Sequence, residues 1–407
     1  MNTLTTTEVS FKRLRHQPAI LLVKATKFAY IADNHEHRNQ LNYRISMKHI
    51  TSTIAAAALA LFSSIPVQPA WSGEITIPSQ MNEVVKPELA AKYTYIENGE
   101  YTKALGFPTY EWLPTNTKPK AIVLGIHGLT LHGRRYRTLA RTLAVSGYGF
   151  VALDMRGFGA CRWDENKQFS TPTDNRKEIA HEKSYGDIVK LAQMIREKYP
   201  DTPIIALGES LGCTFCVRLA GDHKEFVDGM ILSAPAVRIN PAMYATPTDI
   251  KEGFAALLKR GHRVSLKQFI THLVSTREDV AQEMMDDPLI LKEIRIKDLL
   301  ATDLFCDKTA HYGKKVAQGI PVLILQAGGD KCVSPEAVTR LMANMPSSNQ
   351  TLSWMGSWGH LQLETSYMRS KVIDVVGDWV ENRTKEATEE LTELEQDIDD
   401  LGGTLVR

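Results

Sequence analysis

The sequence predicts an α/β fold: a mostly parallel, doubly wound sheet with an inserted helical cap. Three observations point there. From about residue 105, short apolar runs alternate with longer amphipathic stretches. Each run is continuous rather than alternating in polarity, so both of its faces are buried, as in a parallel sheet covered by helices. And the interval 237–318 carries helical periodicity without a strand run, far beyond the length of an ordinary structureless loop.

The strand runs are 121–126, 150–153, 204–207, 230–232 and 322–325, with 351–354 a further one. Each is short, mostly β-branched or Leu, and bounded by Gly, Pro or Asp. Helical patterns fall at 134–146, about 176–199, 211–222, 334–344 and 364–383. Residues 74–112 read as entry segments with an antiparallel edge. The expected organisation is therefore a main body of 73–236 and 319–383, a helical cap at 237–318, and an acidic tail at 384–407. In the tail Leu391, Leu394, Ile398 and Leu401 repeat at helical spacing among eight acids, a solvated helix continuing the one before it.

The 407 residues are 43% apolar and 23% charged, which excludes collagen-like, fully disordered and small disulfide-scaffold chains. A net charge of +1 leaves no basic excess for nucleic acid. No apolar run reaches the ~18–20 residues of a membrane-spanning helix. Near the start, Met47, Lys48 and His49 open a stretch whose apolar run Ile54 to Phe62 is broken by Pro66 and Pro69. Ala70 and Ser72 then place small residues before Gly73. That is the layout of a secretory signal peptide at 47–72. Met47 then starts the natural protein, residues 1–46 are upstream sequence, and the mature chain is exported, periplasmic or secreted. The alternative is a basic, disordered extension before a buried apolar helix.

Gly208, Glu209, Ser210, Leu211 and Gly212 follow the strand at 204–207 and open a helix. A strand-to-helix turn this tight forces the serine into a strained backbone, and only glycine fits beside it. The turn lifts the Ser210 hydroxyl to a helix N-terminus, where developing negative charge is favoured. A hydroxyl is a poor nucleophile at neutral pH and needs a base, which needs an orienting acid. Asp330 stands just after strand 322–325 and His360 just after strand 351–354, the loops where such sheets put their sites. Asp303 and Asp307 are rivals for the acid. His181, His223, His262, His272 and His311 fit the base less well, and His127 reads as a turn former. The amides of Leu129, after strand 121–126, and of Leu211 are the expected oxyanion donors.

With these residues in place the chain resembles the serine α/β-hydrolases of the monoacylglycerol lipase and lysophospholipase group. The likeness rests on His127-Gly128-Leu129 with Arg135-Tyr136, on Asp154 to Gly159, on the Ser210 elbow, and on Gly329-Asp330 with Gly359-His360. Ser275 to Asp279 with Asp286 to Leu289 is similar to that group's lid. The resemblance covers about 105–383. It implies an α/β-hydrolase fold, a lid lining an acyl pocket, and hydrolysis of glycerol-linked or lyso-lipid esters without cofactor. Two departures stand out. Cys213 replaces a second glycine after the elbow, tightening the helix–strand contact, and Phe158 replaces a histidine, reshaping the pocket rim.

The reading is thus an ester hydrolase whose partner is an acyl ester or lipid, with transient membrane-surface contact through the cap, no metal and no nucleic acid. An aminopeptidase or acyltransferase on the same residues stays open, with Glu278, Asp279, Asp286 and Asp287 as amine-holding carboxylates for the former. So does a non-catalytic binding module. Five cysteines (161, 213, 216, 306, 332) include at least one unpaired thiol, and no spacing suggests a metal site.

Overall fold

The computed structural model describes residues 87–238 and 263–400, with side chains in the last helix as far as Lys385. The expected leader and extension at 1–72 and part of the cap at 239–262 lie outside those residues, and the side chains of the tail's apolar stripe lie beyond Lys385. The described residues form two compact units, one made of 263–266 and 293–304, the other of 87–238, 267–292 and 305–400.

The larger unit is built on one eight-stranded sheet. Its strands are β1 (Tyr93–Glu97), β2 (Thr109–Pro114), β3 (Ile122–Ile126), β4 (Gly149–Leu153), β5 (Ile204–Glu209), β6 (Gly229–Ser233), β9 (Val322–Gln326) and β10 (Gln350–Trp354). The spatial order is β1-β2-β4-β3-β5-β6-β9-β10. β1 and β2 pair antiparallel, β2 pairs antiparallel with β4, and all later neighbours are parallel. β3, β4, β5, β6 and β9 are buried throughout, which is why they read as unbroken apolar runs. β10 is an edge strand and shows Leu352 and Trp354 to solvent.

The α-helices of five residues or more in this unit are α1 (Glu100–Leu105), α2 (Arg137–Val145), α3 (His181–Lys198), α4 (Leu211–Asp222), α5 (Glu278–Asp286), α7 (Thr309–Gly313), α8 (Pro335–Asn344) and α9 (Ser370–Asp400). α2 buries Leu139, Ala140, Leu143 and Ala144, one stripe at helical spacing. That stripe shares a core with Val372, Val376, Trp379 and Val380 of α9 and with Val123, Phe150, Leu207 and Leu325 of the sheet. Alternate strand residues point to the other face, where α4 packs against β5 and β6. α4 is buried almost along its whole length. α8 starts at Pro335, with the Ser334 hydroxyl accepting from the Ala337 amide as its cap.

Four elements differ from expectation, each for a reason its contacts show. α3 begins at His181, not 176, because the Arg176 carbonyl takes the Gly157 amide and its guanidinium reaches Asp187. α9 begins at Ser370, not 364, because residues 362–366 bond to buried carboxylates instead of to each other. It then runs through residue 384 without a break. In the smaller unit, β7 (Arg263–Ser265) and β8 (Glu293–Arg295) pair antiparallel where no strand was expected. Three residues, of which only Val264 and Ile294 are buried, are too few to show a pattern. β8 leads into α6 (Ile296–Cys306), where Arg295 Nε donates to Asp298 Oδ2 at 2.6 Å.

Candidate active site

β5 delivers Ser210 to the start of α4 with φ 54° and ψ −115°, a conformation non-glycine residues rarely hold. It is over-determined by its neighbours. The Ser210 amide donates to Ser233 O at 2.8 Å, and its carbonyl accepts from Cys213 N at 3.1 Å. A Cβ on Gly212 would lie 1.9 Å from Ile126 O, and one on Gly208 would lie 2.5 Å from the Gly212 carbonyl carbon. Both glycines of the elbow are therefore demanded by close backbone approach. Cys213 fills the remaining contact, its thiol donating to Gly208 O at 3.1 Å and Ser233 O at 3.2 Å.

His360 and Asp330 meet in the loops after β10 and β9. His360 Nδ1–H donates to Asp330 Oδ2 at 2.8 Å, and both side chains are buried. Asp330 Oδ1 accepts from the amides of Cys332 at 2.8 Å and Val333 at 3.0 Å. Burial alone would raise the Asp330 carboxyl; the His360 charge, its hydrogen bond and the two amides outweigh that and hold it below the usual range. Burial would likewise lower His360, but Asp330 and then the more distant Glu209 charge raise it. With Nδ1 committed to Asp330, Nε2 is the nitrogen left to take a proton. Asp330 thus holds the imidazole, rather than Asp303 on α6 or Asp307 beyond it.

The other histidines have other work. His127 is fully buried, donates from Nδ1 to Gly128 O and accepts the Met155 amide at Nε2. Burial lowers it to about 4, so it is a neutral turn-former. His181 stacks on Phe305 and is also pulled down to about 4 by burial. His223 faces Glu225, and His272 and His311 are exposed. His262 lies outside the described residues. Phe158 is not at a rim: it is fully buried, edge-on to His127 with ring centroids 5.5 Å apart.

Leu211 is the first residue of α4, where amides have no intrahelical acceptor. The Leu129 amide, at the turn after β3, has no protein acceptor among the described residues. No disulfide joins the five cysteines. Asp330, Cys332 and His360 bring their ligand atoms within 4.8 Å of one another, a cluster that sequence spacing does not show. All three already have hydrogen-bond partners, Cys332 through a long thiol contact to Leu273 O at 3.4 Å.

Residues 117–364 match the Hydrolase_4 family, described as serine aminopeptidase, S33. The chain belongs to this family. It is similar to a monoglyceride lipase homolog of Monkeypox virus, at 26% identity over 67% of this chain and 94% of that one. It is also similar to the monoglyceride lipase of Mus musculus, at 25% identity over 67% and 86%. Among solved structures, a soluble variant of the Saccharomyces cerevisiae monoglyceride lipase with a substrate analog aligns with a TM-score of 0.56. Its identity is 19%, covering 75% of this chain and 98% of that one, a likeness of fold.

Around the Hydrolase_4 elbow lie residues that sequence reasoning missed. Glu209 is wholly buried and bonds Ser233 and the backbone of 362–364. Glu364, also wholly buried, accepts the Gly128 amide on Oε1 at 2.7 Å. Burial, with the Glu209 charge beside it, pushes Glu364 well above the usual carboxylate range. On α5, Glu283 accepts from Arg135 Nη2 at 3.0 Å, from the Thr365 hydroxyl at 2.8 Å and from the Ser366 amide. Asp287 pairs with His132 at 2.9 Å and Arg135 at 3.5 Å. The one available signal was a glutamate beside the elbow serine. Its backbone partners are some 150 residues away, where no local pattern reaches.

Proposed function

We propose that the chain is a serine ester hydrolase acting on acyl lipids of the monoacylglycerol or lysophospholipid type. The observation that carries this reading is the buried Asp330–His360 pair, in the loops that follow the strand order expected after a Ser210 elbow. Ser210 Oγ attacks the ester carbonyl while His360 Nε2 takes its proton. Asp330 keeps the imidazole in the Nδ1–H form and stabilises the imidazolium. The Leu129 and Leu211 amides receive the tetrahedral oxyanion. His360 returns the proton to the leaving alcohol, an acyl-enzyme remains, and water attacks it with His360 again as base.

The cap carboxylates argue against an amine-binding peptidase site. Asp287 is tied to His132 and Arg135, and Asp279 to Arg277 Nε at 2.9 Å, which leaves only the exposed Glu278 and Asp286. The lipase names of the relatives favour lipid esters. Export through a signal at 47–72, a lid spanning 237–318 and transient membrane contact are parts of the same proposal. N-terminal sequencing of the natural protein tests the first: a chain retaining residues 1–46 rules it out.

An ester series of short to long acyl chains, run on the chain from Gly73 with Ser210→Ala beside it, tests the function. Turnover that peaks at medium or long chains and vanishes in the variant is expected. Ester turnover that survives in Ser210→Ala, or none on any ester, refutes the proposal.

A further inference from the structure

This inference rests on the serine-hydrolase reading and deepens it. Glu209 precedes the elbow serine on β5, and its carboxylate is aimed away from any solvent. Oε1 accepts from Ser233 Oγ at 2.8 Å, Gln362 N at 2.7 Å and Leu363 N at 3.1 Å; Oε2 accepts from Leu363 N at 3.1 Å and Glu364 N at 3.0 Å. Burial raises the Glu209 carboxyl and these hydrogen bonds oppose that rise; every group bonded to it is a donor, so the anion is the form that fits. The three amides are consecutive and begin two residues after His360. One side chain of the nucleophile strand therefore grips the backbone of the loop that carries the base.

We propose that Glu209 is a positioning residue: it fixes the His360 loop to the nucleophile strand, and its charge stabilises the imidazolium formed when Ser210 is deprotonated. The groups facing His360 are Asp330 and Cys332 from the loop after β9 and Glu209 from β5. Those facing Glu209 are His360, Ser233, Cys213 and Glu364, with Tyr136 close to the two glutamates. Glu209 is thus the second anion felt by the imidazole, after Asp330. A purely structural acceptor would not need the charge. A glutamine would also turn an NH₂ group against at least one of the three amides, since both oxygens are taken by N–H donors.

The test uses the full chain on its best ester, with Glu209→Gln, Glu209→Asp and Ser210→Ala measured across pH. Glu209→Gln is expected to lower kcat about ten- to a hundredfold with KM little changed. Its acid limb of kcat/KM moves to lower pH by about half a unit or more, because the imidazolium loses a stabilising anion. Glu209→Asp keeps the charge but is one methylene short, so its acid limb stays in place while kcat falls about tenfold. A Glu209→Gln chain with the wild-type acid limb overturns the proposal. Should that variant fail to fold, Glu209→Asp decides alone, and wild-type kcat in it overturns the positioning role. Wild-type protein without Ser210-dependent turnover refutes the function itself, and this inference with it.

Discussion

Two buried polar networks hold the same short stretch after His360, and they are made of different materials. Residues 362–364 hang by backbone amides from the single carboxylate of Glu209. The next two residues, Thr365 and Ser366, bond to Glu283, a carboxylate neutralised by Arg135 and joined through it to Asp287 and His132. Asp330 belongs with the first kind, since two amides and the imidazole hold it. The contrast separates two tasks. Amides fix a carboxylate to a rigid backbone and so preserve geometry, as catalysis needs. Paired side chains fasten α5 to the body and are strong only while every partner is present.

The largest effect should come from the amide-held set. Asp330→Asn keeps its place between the Cys332 and Val333 amides but presents the imidazole with the wrong tautomer. Its kcat should fall by about 10³–10⁴ with little change in the midpoint of unfolding. An equal loss of rate and of stability would break the distinction.

The paired set should show the reverse. Glu283→Gln leaves Arg135 buried with Asp287 as its remaining counter-charge, and stability should drop by up to about 3–5 kcal/mol in denaturant titrations. The acid limb of the rate profile should not move.

Glu364, the neighbour of Glu209, should differ from the paired set in the sign of its pH dependence. Glu283 and Asp287 are held below the usual carboxylate range against burial, chiefly by Arg135 and His132. Their contribution is present above the unfolded value near ~4 and is lost as pH falls. Glu364 is the opposite case: its contribution is full below the unfolded value near ~4.3 and is lost as pH rises toward its raised folded value. Stability of wild type minus that of Glu364→Gln should therefore fall as pH rises above about 4.5, by up to about 1.4 kcal/mol per unit. A difference flat from pH 4 to 8 would mean that Glu364 is ionised in the fold.

The smallest effect is on the position of the activity profile. Because Asp330 and Glu209 raise His360, the acid limb of kcat/KM should centre above about 6.5. Rates measured on one ester from pH 4 to 9 check this, and a limb below 6 contradicts it.

The parts of this molecule legible in its sequence are those whose cause is local. The buried strands appear as unbroken apolar runs because both faces are covered. The elbow appears because Gly208 and Gly212 have no room for a Cβ. Asp330 and His360 are visible from their places after β9 and β10. What the sequence hides depends on contacts between distant segments. Arg135 finds Glu283 across 148 positions, and Glu209 finds Gln362 across 153. The bonds from Glu209 and Glu283 to residues 362–366 also delay α9 to Ser370, so the sequence hides the helix boundary and the network for one reason.

The central claim is that Ser210 is the nucleophile that the Asp330–His360 pair activates. Intact-mass spectrometry after a serine-directed phosphonate, with peptide mapping of the adduct, tests it most directly. One adduct per chain on Ser210, absent from Ser210→Ala and strongly slowed in His360→Ala, is the predicted result. An adduct on another residue, or unchanged labelling of Ser210→Ala, would contradict the account.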